Sequence, residues 1–228
     1  MEYHPPRFNA YSLVHKGLRA MMSQTLLNLG RTDWSDAADS AGVLGQVRDL
    51  LDFCESHSRH ENDFVHPAVE ERLPGLTAKL AEDHRRLDRS IAVLHAQLAV
   101  QEARQGAARI RGGEVLYLDL TAFVADNLQH MHFEETEINL AMWAAYSDAD
   151  IMAVQRRLVA SLSPQEAALG LRRMLPYASP GERAAMLGEL RSNAPAAVFE
   201  GILGMLRQLL SGKDWRKLSE ALDLEQAA

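Results

Sequence analysis

Six residues of this chain pair ionisable side chains with helical spacing in a way that suits a metal: His15, His57 with Glu61, His84, and His130 with Glu134. Each stands where the surrounding apolar pattern calls for Leu or Val. Burying a carboxylate or an imidazole without a partner is costly, so such groups facing one core must satisfy each other or a cation. His57 and Glu61, like His130 and Glu134, are four residues apart, which puts both members of a pair on one helical face. Spacing alone is weak evidence: with 9 His and 17 Glu in 228 residues, random placement gives about 0.7 His-x-x-x-Glu matches. The chain has three. The third, His66 to Glu70, spans Pro67 at an expected helix end, and His66 is read as a surface residue. What strengthens the other two is register, because their faces coincide with the hydrophobic ones. Two metal ions would each receive two imidazoles, with Glu61 and Glu134 bridging. Four neutral imidazoles and two carboxylates on two divalent ions leave a formal +2, which a bridging oxide or hydroxide reduces, and each ion keeps a position for a small molecule.

Helices must carry these residues. Aromatics are only 6 %, Val and Ile are sparse, and Leu, Ala, Arg, Glu and Gln dominate, as helices prefer and strands do not. The periodicity predicts an all-α chain. A first helix over residues 9–30 places Tyr11, His15, Leu18, Met22, Leu26 and Leu29 on one face. After a polar loop at 31–40, a second carries Val43, Val47, Leu50, Cys54, His57 and Glu61 and stops near His66-Pro67, because the residue before proline resists helical geometry. A Pro-bounded turn at 68–75 leads to a third helix with Leu76, Leu80, His84, Leu87, Ile91, Leu94 and Leu98, fading over 101–113. A fourth runs to about residue 146 with Leu116, Leu120, Phe123, Asn127, His130, Glu134 and Ile138. Four such helices predict an up-down-up-down bundle over residues 1–146. At about 1.5 Å per residue, His15 and His57 lie about 20 and 25 Å from the connection between the first two helices, so the six residues can meet in one layer.

Residues 147–228 change texture. Ser163-Pro164-Gln165-Glu166 and Ser179-Pro180-Gly181-Glu182 each place Ser at a cap, Pro in the first turn and Glu three residues after the cap, and further helices start near Pro195 and Lys213. This helical extension holds no ligand cluster and reads as a cap, a homodimer element or a surface for a protein partner.

Composition narrows the function. The 24 Lys and Arg against 31 Asp and Glu give a formal charge of −7, which lacks the basic face that a phosphate backbone needs, so nucleic acid is excluded as a partner. Every apolar run is interrupted by charge, which argues against a membrane span. One cysteine and a start without a signal-like segment lead to the expectation of a cytoplasmic protein.

Leu13-Val14-His15-Lys16, His57-Ser58-Arg59-His60-Glu61 followed by Pro67, Glu82-Asp83-His84, and His130-Met131-His132-Phe133-Glu134-Glu135 together resemble the hemerythrin-like (HHE cation-binding) domain. The resemblance covers residues 9–146. It implies a four-helix bundle around an oxo-bridged centre of two non-haem iron ions, although other divalent metals suit the same donors. It also implies members that carry, store or sense oxygen, respond to nitric oxide or sense iron. Oxygen-carrying hemerythrins use five histidines, two of them a His-x-x-x-His pair on the third helix, and a helix 4 aspartate five residues after its histidine. Here the third helix has His84 and then Asp88, and the fourth has Glu134 with Glu135 beside it. The fifth imidazole is missing unless His60, His95 or His132 reaches the site. The expectation is a protein that binds or senses oxygen, or a related small molecule such as nitric oxide. The alternatives are an enzyme acting on peroxide, nitric oxide or Fe(II), and an iron-responsive regulatory or structural module.

The remaining features read more plainly. His4 belongs to the surface and His95 to the edge of a stripe. Cys54 is a small buried residue, the Met residues fill the core, and Tyr11 packs one turn before His15, within reach of a hydrogen bond to the site. No Glu-x-x-His occurs, which counts against the carboxylate-rich centres of ferritin-like bundles. His60-Glu61 is not followed by a histidine three residues later, so the zinc-protease motif is absent.

Overall fold

The apolar stripes do become buried helix faces. The computed structural model describes residues 7–224, and every regular element among them is helical, with no strand. Contacts group these residues into two compact units: Leu18–Ala160 with the chain up to Ser12, and the chain from Ser161 with Leu13–Gly17 of the first helix. None of the described helices is long and apolar enough to cross a membrane.

Up to residue 161 the chain forms α1 (Ser12–Gly30), α2 (Ala37–His60), a π turn at Glu61–Val65, α3 (His66–Arg72), α4 (Ala78–Ala103), α5 (Gly106–Phe133), a second π turn at Glu134–Ile138, α6 (Asn139–Ala145) and α7 (Asp148–Ser161), which make the first unit except for Leu13–Gly17 and Ser161. The Asn9 carboxamide accepts from the backbone N–H groups of Tyr11 and Ser12 at 2.9 and 3.0 Å, satisfying donors that α1 leaves free at its start. Asp36 does the same for α2 through Ala38 and Asp39, so α2 begins inside the stretch expected to be loop. Leu18, Met22, Val47, Leu50, Leu87, Leu94, Leu116 and Leu120 are buried, as the stripes require. α4 packs against both α2 and α5.

Two expectations fail for local reasons. Pro67 does not end a helix. The chain widens into the π turn first, so the proline falls in the first turn of α3, where its missing N–H leaves no bond unmade. His66 before it stays helical, with φ −58° and ψ −45°. The fading expected over 101–113 shrinks to a link at Arg104 and Gln105 between α4 and α5. Gly112 and Gly113 lie inside α5, and neighbours occupy the space a side chain would need there. A Cβ on Gly113 would lie 2.0 Å from Cε2 of Trp34, and one on Gly112 would lie 2.0 Å from Oε1 of Gln101. Gly113→Ala gains up to about 1 kcal/mol of helix propensity but must displace the indole at about 1–3 kcal/mol. The expected net result is a melting temperature lower by a few degrees, restored in part by Trp34→Ala. An unchanged melting temperature would contradict the packing.

In the second unit, α8 (Pro164–Met174), a 3₁₀ turn at Leu175–Tyr177, α9 (Pro180–Asn193), α10 (Ala196–Leu209) and α11 (Gly212–Ala221) follow in order. Both expected capping boxes form, on Ser163 with Glu166 and on Ser179 with Glu182. Leu175, Leu187, Phe199, Leu206 and Leu218 make the core. Arg183 is buried among them and donates to the carbonyls of Leu175, Pro176 and Ala178 at 2.9–3.1 Å, so its charge is met by the backbone of the turn before α9.

Candidate metal centre

Four helices deliver the six residues: α1 gives His15, α2 and its π turn give His57 and Glu61, α4 gives His84, and α5 and its π turn give His130 and Glu134. All are buried except His57, whose side chain is 10 % exposed. Their donor atoms fall into two overlapping groups, each with all its atoms within 4.8 Å of one another. One is His15, His57, Glu61 and Glu134; the other is Glu61, His84, His130 and Glu134. The two carboxylates belong to both.

Within the groups, Nε2 of His57 lies 3.3 Å from Oε1 of Glu61, Nε2 of His84 lies 3.4 Å from its Oε2, and Nε2 of His130 lies 3.3 Å from Oε1 of Glu134. Nε2 of His84 and Nε2 of His130 are 2.9 Å apart with their rings at 63°. That separation suits two imidazoles at right angles on one ion, at the usual metal–nitrogen distance of about 2.1 Å. Two carboxylates and four imidazoles are also the donor set that borderline divalent cations take. The residues therefore fit a divalent metal.

Burial and mutual repulsion show in the acidities. Burial, and then the neighbouring Glu134 carboxylate, push the Glu61 carboxyl well above the usual range. Burial, and then the His130 ring, bring His84 down to about 3, so its imidazole is neutral and its lone pair open to a metal. Tyr11 lies in the same field. Burial and the carboxylates of Glu134 and Glu61 raise its phenol, which stays protonated and a hydrogen-bond donor.

Neighbours that the sequence did not single out orient the rings. Nδ1 of His84 lies 2.9 Å from Oδ1 of Asn62, so the tautomer protonated at Nδ1 donates there and turns Nε2 inward. Nδ1 of His130 faces Oδ2 of Asp83 at 3.7 Å, and Asp83 is held in turn by Lys79 and Arg86. Asn62 sits on the π turn, where a straight helix would have aimed it elsewhere. Asp83 precedes a ligand candidate by one residue, and a carboxylate at that place was the available signal.

The other candidates lie apart. His132 and Asp88 are exposed, Glu135 pairs with Arg19 at 2.7 Å, and His95 sits 3.5 Å from Asp52. Neither group contains His60, and Cys54 is buried outside both. His4 lies outside the described residues. His66 requires a correction: it is not on the surface but 7 % exposed, its ring stacked on His84. The π turn before it rotates it inward.

The sequence model of the family described as Hemerythrin HHE cation binding domain matches residues 9–139. The chain belongs to the hemerythrin HHE cation-binding family. That span begins at the Asn9 cap of α1 and ends on Asn139, one residue past the second π turn, so it holds all six residues of the two groups. No curated protein and no solved structure matches the chain. Metal binding by the His and Glu cluster within a helical hemerythrin domain is the function that family and geometry support together.

Proposed function

We propose that this hemerythrin-family chain holds two non-haem iron ions in an up-down-up-down four-helix bundle of α1, α2, α4 and α5, and binds oxygen or a related small molecule such as nitric oxide. The observation that carries the reading is the overlap of the two donor groups through Glu61 and Glu134. A metal site needing one ion has no use for two imidazole pairs that each group with the same two carboxylates. Bound, the metal pair supplies two adjacent redox-active Lewis acids able to take up a small diatomic ligand.

The chain's own residues set the conditions. His15 and His57 hold one end, His84 and His130 the other, and Glu61 and Glu134 link them. Asn62 and Asp83 fix the His84 and His130 rings. Tyr11, Val65, Leu80 and Ile138, each four residues from one of the six, pack into one buried cluster that keeps bulk water from this layer. The Tyr11 phenol, protonated there, is the proton-bearing group next to the carboxylates. The C-terminal helices are read as a surface for a second copy or a protein partner.

The test is the optical spectrum of anaerobic Fe(II)-loaded protein before oxygen, with oxygen, and after its removal. A visible band that appears and then disappears is expected. An irreversible change, or continuous consumption of oxygen, would replace the binding reading with a reactive one.

A further inference from the structure

The helices of the first unit differ in what they turn to solvent. Among the described residues α2 exposes no large apolar side chain and α1 only Leu27, whereas α4 exposes Val93 and Val100 and α5, among others, Val115 and Leu118, each at 52–65 %. On α4 the exposed positions 93, 96, 100 and 103 hold Val, Ala, Val and Ala, and on α5 the exposed positions 115, 118, 122 and 125 hold Val, Leu, Ala and Ala. Both runs alternate steps of three and four, the spacing with which one helix packs lengthwise against another. The two helices run antiparallel, since Arg86 pairs with Asp126 and Gln97 with Asp119. The second of these, a hydrogen bond of 2.5 Å from Nε2 of Gln97 to Oδ2 of Asp119, fixes the level of one stripe against the other. At about 1.5 Å per residue, Ala96 then stands level with the midpoint between Leu118 and Ala122.

Charge is absent from the same stretch. From residue 90 to 101 α4 has no Asp, Glu, Lys or Arg, and from 115 to 125 α5 has only Asp119, which is turned to Gln97. Charges return at both ends, at Arg89 and Glu102 on α4 and at Glu114 and Asp126 on α5. An apolar centre inside a charged rim is the anatomy of a protein interface, and a contiguous exposed patch marks one where single apolar residues do not.

The order of large and small residues says what covers it. On α5 the large residues Val115 and Leu118 occupy one half of the stripe, and Ala122 and Ala125 the other. A two-fold axis crossing the stripes at the level of Ala96 lays α5 antiparallel on α5 of a second copy, so that Leu118 meets Ala122 and Val115 meets Ala125, each pair twice. The same axis sets Ala96 against its own equivalent, where small side chains let the two α4 helices approach. Over residues 110–129 the face is about 30 Å long and two helices, about 20 Å, wide, so a symmetrical pair covers about 1,200 Å² in all, at the lower end of specific interfaces. We propose that the outer face of α4 and α5 is the surface through which two copies of this chain form a symmetrical dimer. The second copy is thereby assigned to this face rather than to the C-terminal helices, and the assignment does not rest on the metal-pair reading.

Sedimentation equilibrium of the full chain over a range of concentrations tests this. Twice the chain mass of 25.3 kDa is expected for the wild type. Leu118→Glu buries a carboxylate against Ala122 in each half of the interface and is expected to weaken association by about 100-fold or more. Helical content and metal uptake are expected to stay at wild-type levels, because residue 118 is exposed within each chain. Ala96→Cys is expected to give a disulfide-linked pair on mild oxidation, since a residue on the axis meets its own equivalent, whereas Cys54 is buried. A wild type of single-chain mass at every concentration, Leu118→Glu dimers as tight as the wild type, or a dimeric Ala96→Cys chain that does not cross-link would each overturn the proposal.

Discussion

Glu61→Ala is expected to lower bound iron from two ions per chain to nearly none, whereas His15→Ala keeps one. The difference follows from group membership: Glu61 belongs to both donor groups and His15 only to the first. Removing His15 takes a neutral ligand from one end and leaves Glu61, His84, His130 and Glu134 intact at the other. In the proposed two-ion centre, removing Glu61 would take a negative charge from between two dications and raise the formal charge of the assembly from +2 to +3, in a buried site where such repulsion is poorly screened. It also takes a ligand from each ion at once. Elemental analysis after dialysis, with helical content checked by circular dichroism, reads the outcome. A Glu61→Ala protein that retains one tightly held iron would show that the carboxylate serves one ion rather than two.

Stripping the metals is expected to cost the protein about 8–16 °C in melting temperature per ion. A ligand present at a thousand times its Kd stabilises the folded state by about 4 kcal/mol, and about 2–4 °C accompanies each kcal/mol in a chain of this size. The physical source is visible in the site. Four imidazoles and two carboxylates are packed into one nearly dry layer, and the Glu61 carboxyl is already forced well above its usual range by burial and by Glu134. Without cations this layer opposes folding. Thermal unfolding of chelator-treated and iron-loaded protein measures the difference. Glu61→Ala supplies the control: metal-free, it should melt no lower than the metal-free wild type, because it lacks one of the two opposed carboxyls. Equal melting temperatures for stripped and loaded wild type would mean that the layer is satisfied without metal.

The six residues were legible because each breaks a hydrophobic stripe that is otherwise strict. A histidine at position 84 between Leu80 and Leu87 can be seen without any structure, and so can the Ser-Pro-x-Glu starts of α8 and α9. What the sequence hid is the widening of two helices after their shared carboxylates. Periodicity at 3.6 residues continues straight through Glu61 and Glu134, whereas the chain inserts a π turn at each, so residues from 62 onward face new directions. That single deviation explains why Pro67 seemed a terminator, why Asn62 went unnoticed behind His84, and why His66 was placed on the surface. The run of 101–113 failed for the opposite reason. Two glycines inside a polar stretch suggest a loop, but Trp34 and Gln101 fill the space beside them, and that filling comes from residues remote in sequence.

The central claim, one coupled pair of irons rather than separate ions, is tested most directly by low-temperature Mössbauer spectroscopy in an applied field. The sample is the oxidised full chain loaded with isotopically enriched iron. Two irons sharing Glu61 and Glu134 would lie close enough to couple their spins, so the account predicts that the bound iron appears as one diamagnetic, antiferromagnetically coupled population. A magnetically split pattern from isolated high-spin ferric ions, at any loading, would contradict it.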